Sequence, residues 1–177
     1  MKAHGVGAST FSDWWAYKYE VNDAIPHNGA LLNDMGIVTA FNSDDAEMAR
    51  RLNQEAAKAI KYGGATEEDA WKFITLNPAK LLHIEDKVGS LKKGKDADLV
   101  LWSGHPMSVY SVVEQTYVDG RLYYSLSIDR ENNLRNAKER SRLTQKMLSE
   151  KKTGKKTQKI KKDESFIFHC EDESYSF

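Results

Sequence analysis

The sequence contains only one cysteine, Cys170, so an internal disulfide bond is excluded. No apolar run approaches the length of a membrane-spanning helix. Neither sign of charge is in excess, because 26 basic residues are balanced by 26 acidic ones, which argues against a surface that generally attracts polyanions. The N-terminal stretch MKAHGVGASTF is interrupted by Gly and Ser before an apolar segment develops, unlike a signal peptide. The cellular compartment therefore stays undetermined.

Hydrophobic residues make up 40% of the 177 positions, which is adequate for the core of one medium domain or two small ones. Residues 37–41, IVTAF, are apolar without alternation, and this pattern predicts a strand buried on both faces, as in a parallel sheet. In parallel α/β folds, chemistry takes place where such a strand ends. Asp44 and Asp45 occupy that position. A helix cap is the alternative role, with Glu47 closing a capping box onto Asp44.

A cluster of aromatic residues follows another predicted strand, which covers residues 4–11. Trp14 and Trp15 cannot both face one core from a single side of a helix, so one of them is expected to line a surface or a pocket. The alternative is that both are buried against neighbouring helices. Asp13 is a candidate N-cap for a helix that begins at Trp14.

Helices are predicted over most of residues 45–82. The first covers residues 45–62, where apolar residues recur at a spacing of four: Met48, Leu52, Ala56 and Ile60. Gly63-Gly64 ends this helix. Thr66 begins the second, with Asp69 as its capping-box partner. Asn77 is expected to cap the third, with Pro78 at the first helical position, where its missing N–H costs nothing.

The pattern changes to short strands from residue 88 onwards. Strands are predicted at residues 88–91, 98–103, 112–118 and 121–124. Asp119-Gly120 connects the last two and is typical of a type I′ hairpin turn. This part of the sequence predicts a small antiparallel unit that is distinct from the helical part before it.

The C-terminal part is rich in charge. Residues 129–152 have few apolar positions among many charged ones, which indicates a surface helix. Residues 151–162 contain seven lysines, and the segment is expected to be disordered. Such a run can bind nucleic acid or anionic lipid. No aromatic residue interleaves the lysines to stack on bases, which favours a solvated tail instead.

Several fragments together resemble the metal-dependent amidohydrolases, on the side of the imidazolonepropionase-type enzymes. They are NSDD after the buried strand, TEEDAWKFITLNPAKLL, VGSLKKGKDADLVLW and VDGRLYY. The resemblance covers residues 4–125 and implies a (β/α)8 barrel with a small β-sandwich. Residues 4–11 and 37–42 would be barrel strands seven and eight. The chain would then divide into a barrel part (residues 1–87), a sandwich segment (88–126), a surface helix (127–152) and a disordered charged tail (153–177).

The resemblance also implies roles for individual residues. The aspartate that ends strand eight of such enzymes binds a divalent metal, often zinc, and shuttles the proton of the attacking water. Asp44 matches that position, so it is expected to be both the catalytic and the metal-binding residue, and Asp45 is the better candidate for the helix cap. Trp14, Trp15 and Tyr17 are candidates for one wall of the substrate pocket.

The family's His-x-His pair is not found in this sequence. The five histidines are isolated from one another: His4, His27, His83, His105 and His169. The leading interpretation is therefore the C-terminal portion of an amidohydrolase that cleaves carbon–nitrogen bonds. Alone, it should be inactive and should not bind the metal tightly. The expected partners are the missing N-terminal barrel portion and, for the intact enzyme, a small-molecule substrate, with no nucleic acid and no membrane span.

Two alternatives stay open at this point. The chain is a non-catalytic structural partner that completes a barrel on another polypeptide, or it binds nucleic acid or a membrane surface through its lysine run.

Overall fold

A computed structural model describes residues 1–156 of the chain. It contains five short strands and six α-helices, and two single-turn 3₁₀ helices lie at Lys2–His4 and Tyr19–Val21. The strands are β1 (Ala8–Thr10), β2 (Thr39–Phe41), β3 (Leu99–Trp102), β4 (Val113–Val118) and β5 (Arg121–Ser125). The helices are α1 (Asn28–Asp34), α2 (Ala46–Ala49), α3 (Leu52–Gly63), α4 (Glu67–Ile74), α5 (Leu76–Leu81) and α6 (Leu126–Lys152). Met1–Glu131 forms one unit, and a second begins at Asn132.

Strands β1 and β2 form a two-stranded parallel sheet, with Ala8 opposite Thr39 and Thr10 opposite Phe41. All three residues of β2 are buried, as the unbroken apolar run predicts. Parallel strands need a long crossover between them, and α1 lies in that connection. The predicted parallel pairing of two strands within residues 4–42 is therefore confirmed.

The core lies between β2 and the helices around it. It is built from two aromatic rings, one methionine and several alanines: Ala30, Phe41, Ala56, Ala59, Ala70, Phe73 and Met107. The rings of Phe41 and Phe73 meet edge to face, with centroids 5.3 Å apart. Small residues let the helices come close to these rings. A Cβ atom on Gly29 would stand 2.4 Å from the Phe41 ring, so only glycine fits there.

The prediction of one continuous helix over residues 45–62 is wrong. The helical segment begins with α2, breaks at Arg50 and Arg51, and resumes as α3. Arg51 has φ −126° and ψ 19°, which lies outside the helical region. The break lets α3 turn Ala56 and Ala59 into the core. Gly64 ends α3 in the left-handed conformation, with φ 68°, as predicted.

Helix α4 begins with the predicted cap at Thr66, but Asp69 contacts the Thr66 hydroxyl and not the backbone N–H that a capping box uses. Thr66 accepts a hydrogen bond from the backbone N–H of Asp69, and its hydroxyl donates to the Asp69 carboxylate over 2.8 Å. The bond from Thr66, followed by contact with Lys72, lowers the pKa of Asp69. Glu68 and then Asp69 raise the pKa of Lys72. Two residues of this helix, Ala70 and Phe73, are fully buried.

Asn77 does not cap a helix, contrary to the prediction. Helix α5 begins one residue earlier, at Leu76, and Asn77 is buried within it. Its side-chain amide donates a 2.7 Å hydrogen bond to the backbone carbonyl of Thr39 in the middle of β2. Asn77 therefore anchors α5 to the parallel sheet, a contact across 38 residues of sequence.

Strands β3, β4 and β5 form an antiparallel sheet in that order. Asp119 and Gly120 have φ 51° and 72°, so the predicted type I′ turn between β4 and β5 is confirmed. Residues 88–91 were expected to be a strand but form a bend. The Lys95 side chain takes up acceptors in and near this segment: its ammonium donates to the carbonyls of Glu85 and Val88 and to the Ser90 hydroxyl.

Helix α6 confirms the predicted surface helix and begins three residues before residue 129. None of its residues is buried. Two hydrogen bonds join the Glu139 carboxylate to the Arg142 guanidinium, which lowers the pKa of Glu139 and raises the pKa of Arg142. Lys151 and Lys152 were expected to belong to the disordered segment, but they are the last two residues of α6. The part of the predicted tail beyond position 156, including Cys170 and His169, lies outside the described residues. Across residues 1–156, no helix combines the length and apolar character needed to cross a membrane.

Candidate functional site at the carboxyl ends of the parallel strands

The candidate site lies where β1 and β2 end side by side. The backbone N–H of Asn42 donates to the carbonyl of Thr10 over 3.0 Å, which continues the pairing one residue beyond β2. The Asn42 side chain donates to the Ser9 hydroxyl over 2.8 Å, and Asn28 in α1 donates to the Thr10 hydroxyl over 2.7 Å. These bonds fix the two strand ends to each other. The loops that leave them therefore begin from one rigid edge, here called the rim.

The two aspartates beyond β2 have different roles. The Asp45 carboxylate accepts hydrogen bonds from the backbone N–H groups of Glu47 and Met48, at 2.9 and 2.8 Å, and so caps α2. Asp44 is exposed, and within residues 1–156 its carboxylate has no hydrogen bond or ion pair. Its φ of 53° lies in the left-handed region, which non-glycine residues adopt rarely and often at functional sites. Capping is thus done by Asp45, and the Asp44 carboxylate is available for other chemistry.

The segment after β1 that carries Trp14, Trp15 and Tyr17, here called the aromatic loop, forms a turn and not the predicted helix. The backbone N–H of Tyr17 donates to the carbonyl of Trp14, and Asp13 pairs with Lys58 over 3.0 Å instead of capping a helix. The Trp14 ring lies between Phe11 and Tyr17, with centroids 5.8 and 5.3 Å away.

The three predicted pocket residues differ in exposure. Trp14 is partly buried, whereas about half of the surface of Trp15 and Tyr17 is exposed, at 51% and 52%. The indole N–H of Trp14 is shielded from solvent and has no hydrogen-bond acceptor among residues 1–156. One tryptophan therefore packs and the other lies at the surface.

The described residues do not assemble a metal site. No group of three His, Cys, Asp or Glu side chains in residues 1–156 could hold an ion. His4 lies in the 3₁₀ helix before β1, His27 precedes α1, and His105 contacts Glu67 over 2.8 Å. A catalytic zinc site needs about three protein ligands, and Asp44 is one carboxylate. Residues 1–156 alone therefore do not fit the metal that the resemblance implies.

A polar cluster beside the rim was not predicted. Ser12 donates to the Glu55 carboxylate, and the Lys58 ammonium lies 2.9 Å from both oxygens of that carboxylate. The sequence signal for it is weak. Glu55 and Lys58 are three residues apart on α3, a common surface pair, and nothing local connects them with Ser12, which is 43 residues from Glu55.

The structure also has an open cleft of about 740 Å³ that contains none of the predicted site residues. It is lined mainly by residues 83–95, among them His83, Asp86 and Lys92. The ammonium of Lys95, also in its lining, is already bound to three oxygens of this segment.

Comparison with known proteins finds amidohydrolases both among family models and among individual relatives. The model of the amidohydrolase family matches residues 20–123, more than half of the chain. Amidohydrolase tasK of Hapsidospora irregularis is 33% identical over 111 residues, which cover 62% of this chain and 11% of that protein. The imidazolonepropionase of Shewanella baltica is 62% identical over 37 residues, covering 21% of this chain and 9% of that enzyme.

A solved structure gives the same assignment. The crystal structure of an amidohydrolase from Thermotoga maritima has 43% sequence identity and a TM-score of 0.56, over 62% of this chain and 28% of that one. The chain thus spans only part of the length of the relatives it matches. Because the family model matches more than half of the chain and a solved amidohydrolase shares its fold, the chain belongs to the amidohydrolase family.

Proposed function

We propose that the chain is the C-terminal portion of a metal-dependent amidohydrolase that hydrolyses carbon–nitrogen bonds in small amides or cyclic amides. In this proposal β1 and β2 are the last two strands of a (β/α)8 barrel, and β3–β5 belong to a small β-sandwich. The observation that carries the proposal is the pair of aspartates after β2. Asp45 caps the helix, and Asp44 stands beside it on the rim with a free carboxylate.

The role proposed for Asp44 is proton transfer. Its carboxylate takes a proton from water while the water oxygen bonds to the carbonyl carbon, and returns that proton to nitrogen as the carbon–nitrogen bond breaks. Carboxyl ends of parallel barrel strands are where such residues stand in enzymes of this architecture. Trp14, Trp15 and Tyr17 follow the neighbouring strand, and in the proposal they form one wall of the substrate pocket.

The metal and the rest of the barrel come from elsewhere in this proposal. Two strands do not close a barrel, and residues 1–156 supply too few metal ligands. The remaining strands and the His-x-His pair would be provided by an N-terminal portion, on the same gene product or on a second chain. The 177-residue chain alone is then inactive and binds zinc weakly.

The test uses the chain together with an N-terminal portion that carries His-x-His. Asp44→Asn should abolish hydrolysis of a panel of amides and cyclic amides, because asparagine is not a base. Asp45→Asn is the matched control and should keep most of the activity. Circular dichroism should show both variants folded. Near-normal turnover of the Asp44→Asn enzyme, or strong zinc uptake by the isolated chain in metal analysis, would contradict the proposal.

A further inference from the structure

We infer that Ser12, Glu55 and Lys58 are positioning residues that fix the aromatic loop after β1 to helix α3, and so hold one wall of the substrate pocket in place. This inference rests on the proposed function for its catalytic consequence. The three residues and Asp13, which joins them through Lys58, are called the rim clamp below.

The rim clamp is buried at its centre. Ser12 is 1% exposed and Glu55 is 5% exposed, although Glu55 carries a charge. A buried carboxylate is unfavourable unless partners compensate for the loss of water. Here Lys58 contacts both carboxylate oxygens at 2.9 Å and Ser12 donates a hydrogen bond. Glu55 also lies in the first turn of α3, where the helix dipole favours negative charge.

The rim clamp joins two segments that are distant in sequence, unlike an ion pair within one helix. Ser12 comes two residues after the end of β1, and the aromatic loop begins directly after Asp13. Glu55 lies in α3, the second helix after the loop bearing Asp44. A single set of contacts therefore joins the two segments that leave the rim. Lys58 strengthens the link, because its ammonium also lies 3.0 Å from the Asp13 carboxylate.

The clamp has a direct consequence for Trp14, the residue that follows Asp13. Phe11 and Tyr17 hold the Trp14 ring on two sides, but its buried indole N–H has no acceptor in residues 1–156. No hydrogen bond of its own fixes the indole, so its placement depends on these two rings and on the backbone at Ser12 and Asp13. Loss of the clamp should let the aromatic loop move while the core around Phe73 stays intact.

The first arm of the test measures structure in the 177-residue chain and needs no activity. Nuclear magnetic resonance gives one indole N–H signal for each of the four tryptophans, assigned by Trp→Phe variants. Ser12→Ala and Glu55→Gln should shift the signal of Trp14 and leave the signals of Trp71 and Trp102 in place. Ser12→Ala removes the hydrogen bond to residue 55, and Glu55→Gln removes the charge that pairs with Lys58. The double variant should shift Trp14 by less than the sum of the two single shifts, because both changes weaken contacts of the same side chain.

Glu139→Gln is the matched control, since Glu139 also pairs with a basic residue three positions later but lies on α6. It should leave the Trp14 signal unchanged. If Glu55→Gln fails to fold, Ser12→Ala and Asp13→Asn keep the test valid, because the first removes one oxygen and the second changes a half-exposed carboxylate. An unchanged Trp14 signal in folded Ser12→Ala would overturn the inference.

The second arm measures kinetics in the enzyme that includes the N-terminal portion. Ser12→Ala should raise KM on the order of tenfold and leave kcat near that of the parent, because the pocket wall moves and Asp44 does not. Equal losses in kcat and kcat/KM would overturn the role as a pocket clamp. The two proposals fail separately: full hydrolysis by Asp44→Asn removes the proposed function, whereas an unmoved Trp14 signal removes the clamp alone.

Discussion

The parallel pair β1–β2 and the antiparallel sheet β3–β5 bury very different shares of their side chains. Every residue of β2 is buried, and helices α3, α4 and α5 contribute buried residues around it. Among the residues of β3, β4 and β5, Ser125 is the only one that is buried. The first region is held by contacts between distant parts of the sequence. The second is held by a local turn and by pairing between neighbouring strands.

This difference indicates where a substitution should matter most. A change in the first region leaves a cavity or an unpaired polar group, and both are costly. In the second region, side chains can be truncated at little cost, and backbone geometry at the turn is the sensitive feature. The predictions below test this contrast in the 177-residue chain, from the largest expected effect to the smallest.

The largest effect is expected at Phe73, whose side chain is fully buried against Phe41. Phe73→Ala should lower the free energy of unfolding by about 3–5 kcal/mol, measured by chemical denaturation. Tyr123→Ala in β5 is the control, because Tyr123 is 69% exposed, and it should change stability by no more than about 0.5 kcal/mol. Similar losses for the two variants would contradict the contrast between the regions.

A smaller loss is expected at Asn77, the buried residue that joins α5 to β2. Asn77→Ala leaves the carbonyl of Thr39 without its side-chain donor and should cost about 1–3 kcal/mol. Asn136→Ala on the exposed helix α6 makes the same chemical change without a buried partner. Urea denaturation should show almost no loss for that control. A neutral Asn77→Ala would mean that the bond to Thr39 does not hold α5 in place.

In the antiparallel sheet, the turn should be more sensitive than the strands. Gly120 has φ 72°, and a Cβ atom there would meet only ordinary contact with Ala97 at 3.8 Å, so any cost comes from the backbone. Gly120→Ala should lower stability by about 1–2 kcal/mol. Gly120→Asn should cost less, because asparagine tolerates the left-handed region better. Equal effects of alanine and asparagine in thermal melts would argue against a backbone origin.

The smallest effects are expected at the two aspartates of the rim, and they should have opposite signs. Asp45→Ala removes the cap of α2 and should cost about 1 kcal/mol. Asp44→Gly relieves the left-handed backbone and should stabilise the chain by about 1 kcal/mol or less. Melting temperatures of both variants against the parent give the comparison. A stabilising Asp45→Ala would show that the capping roles have been assigned to the wrong residue.

Features with a local sequence signal were the ones that could be predicted. The apolar run of β2, the Thr66 cap of α4 and the Asp119-Gly120 turn each depend on residues that are close in sequence. The rim position of Asp44 also follows from the buried strand before it. The resemblance to amidohydrolases supplied the expectation that a residue at that position is catalytic. The family match over residues 20–123 confirms the resemblance itself.

What could not be predicted depends on contacts across the fold. The bond from Asn77 to Thr39 spans 38 residues and replaces the expected cap. The bond from Ser12 to Glu55 spans 43 residues and buries a carboxylate that helical spacing alone would place on the surface. The break at Arg51 and the bend at residues 88–91 arise because packing and the Lys95 contacts override the local pattern.

The three oxygens around Lys95 have a consequence for chemical labelling of the protein. An acylating reagent attacks a free amine, and the Lys95 ammonium must first give up its bonds to Glu85, Val88 and Ser90 before it can react. Lys92 and Lys93, in the same segment, are exposed. In a mass-spectrometric footprint, Lys95 should therefore react more slowly than Lys92 and Lys93, and its reactivity would report how often this segment opens.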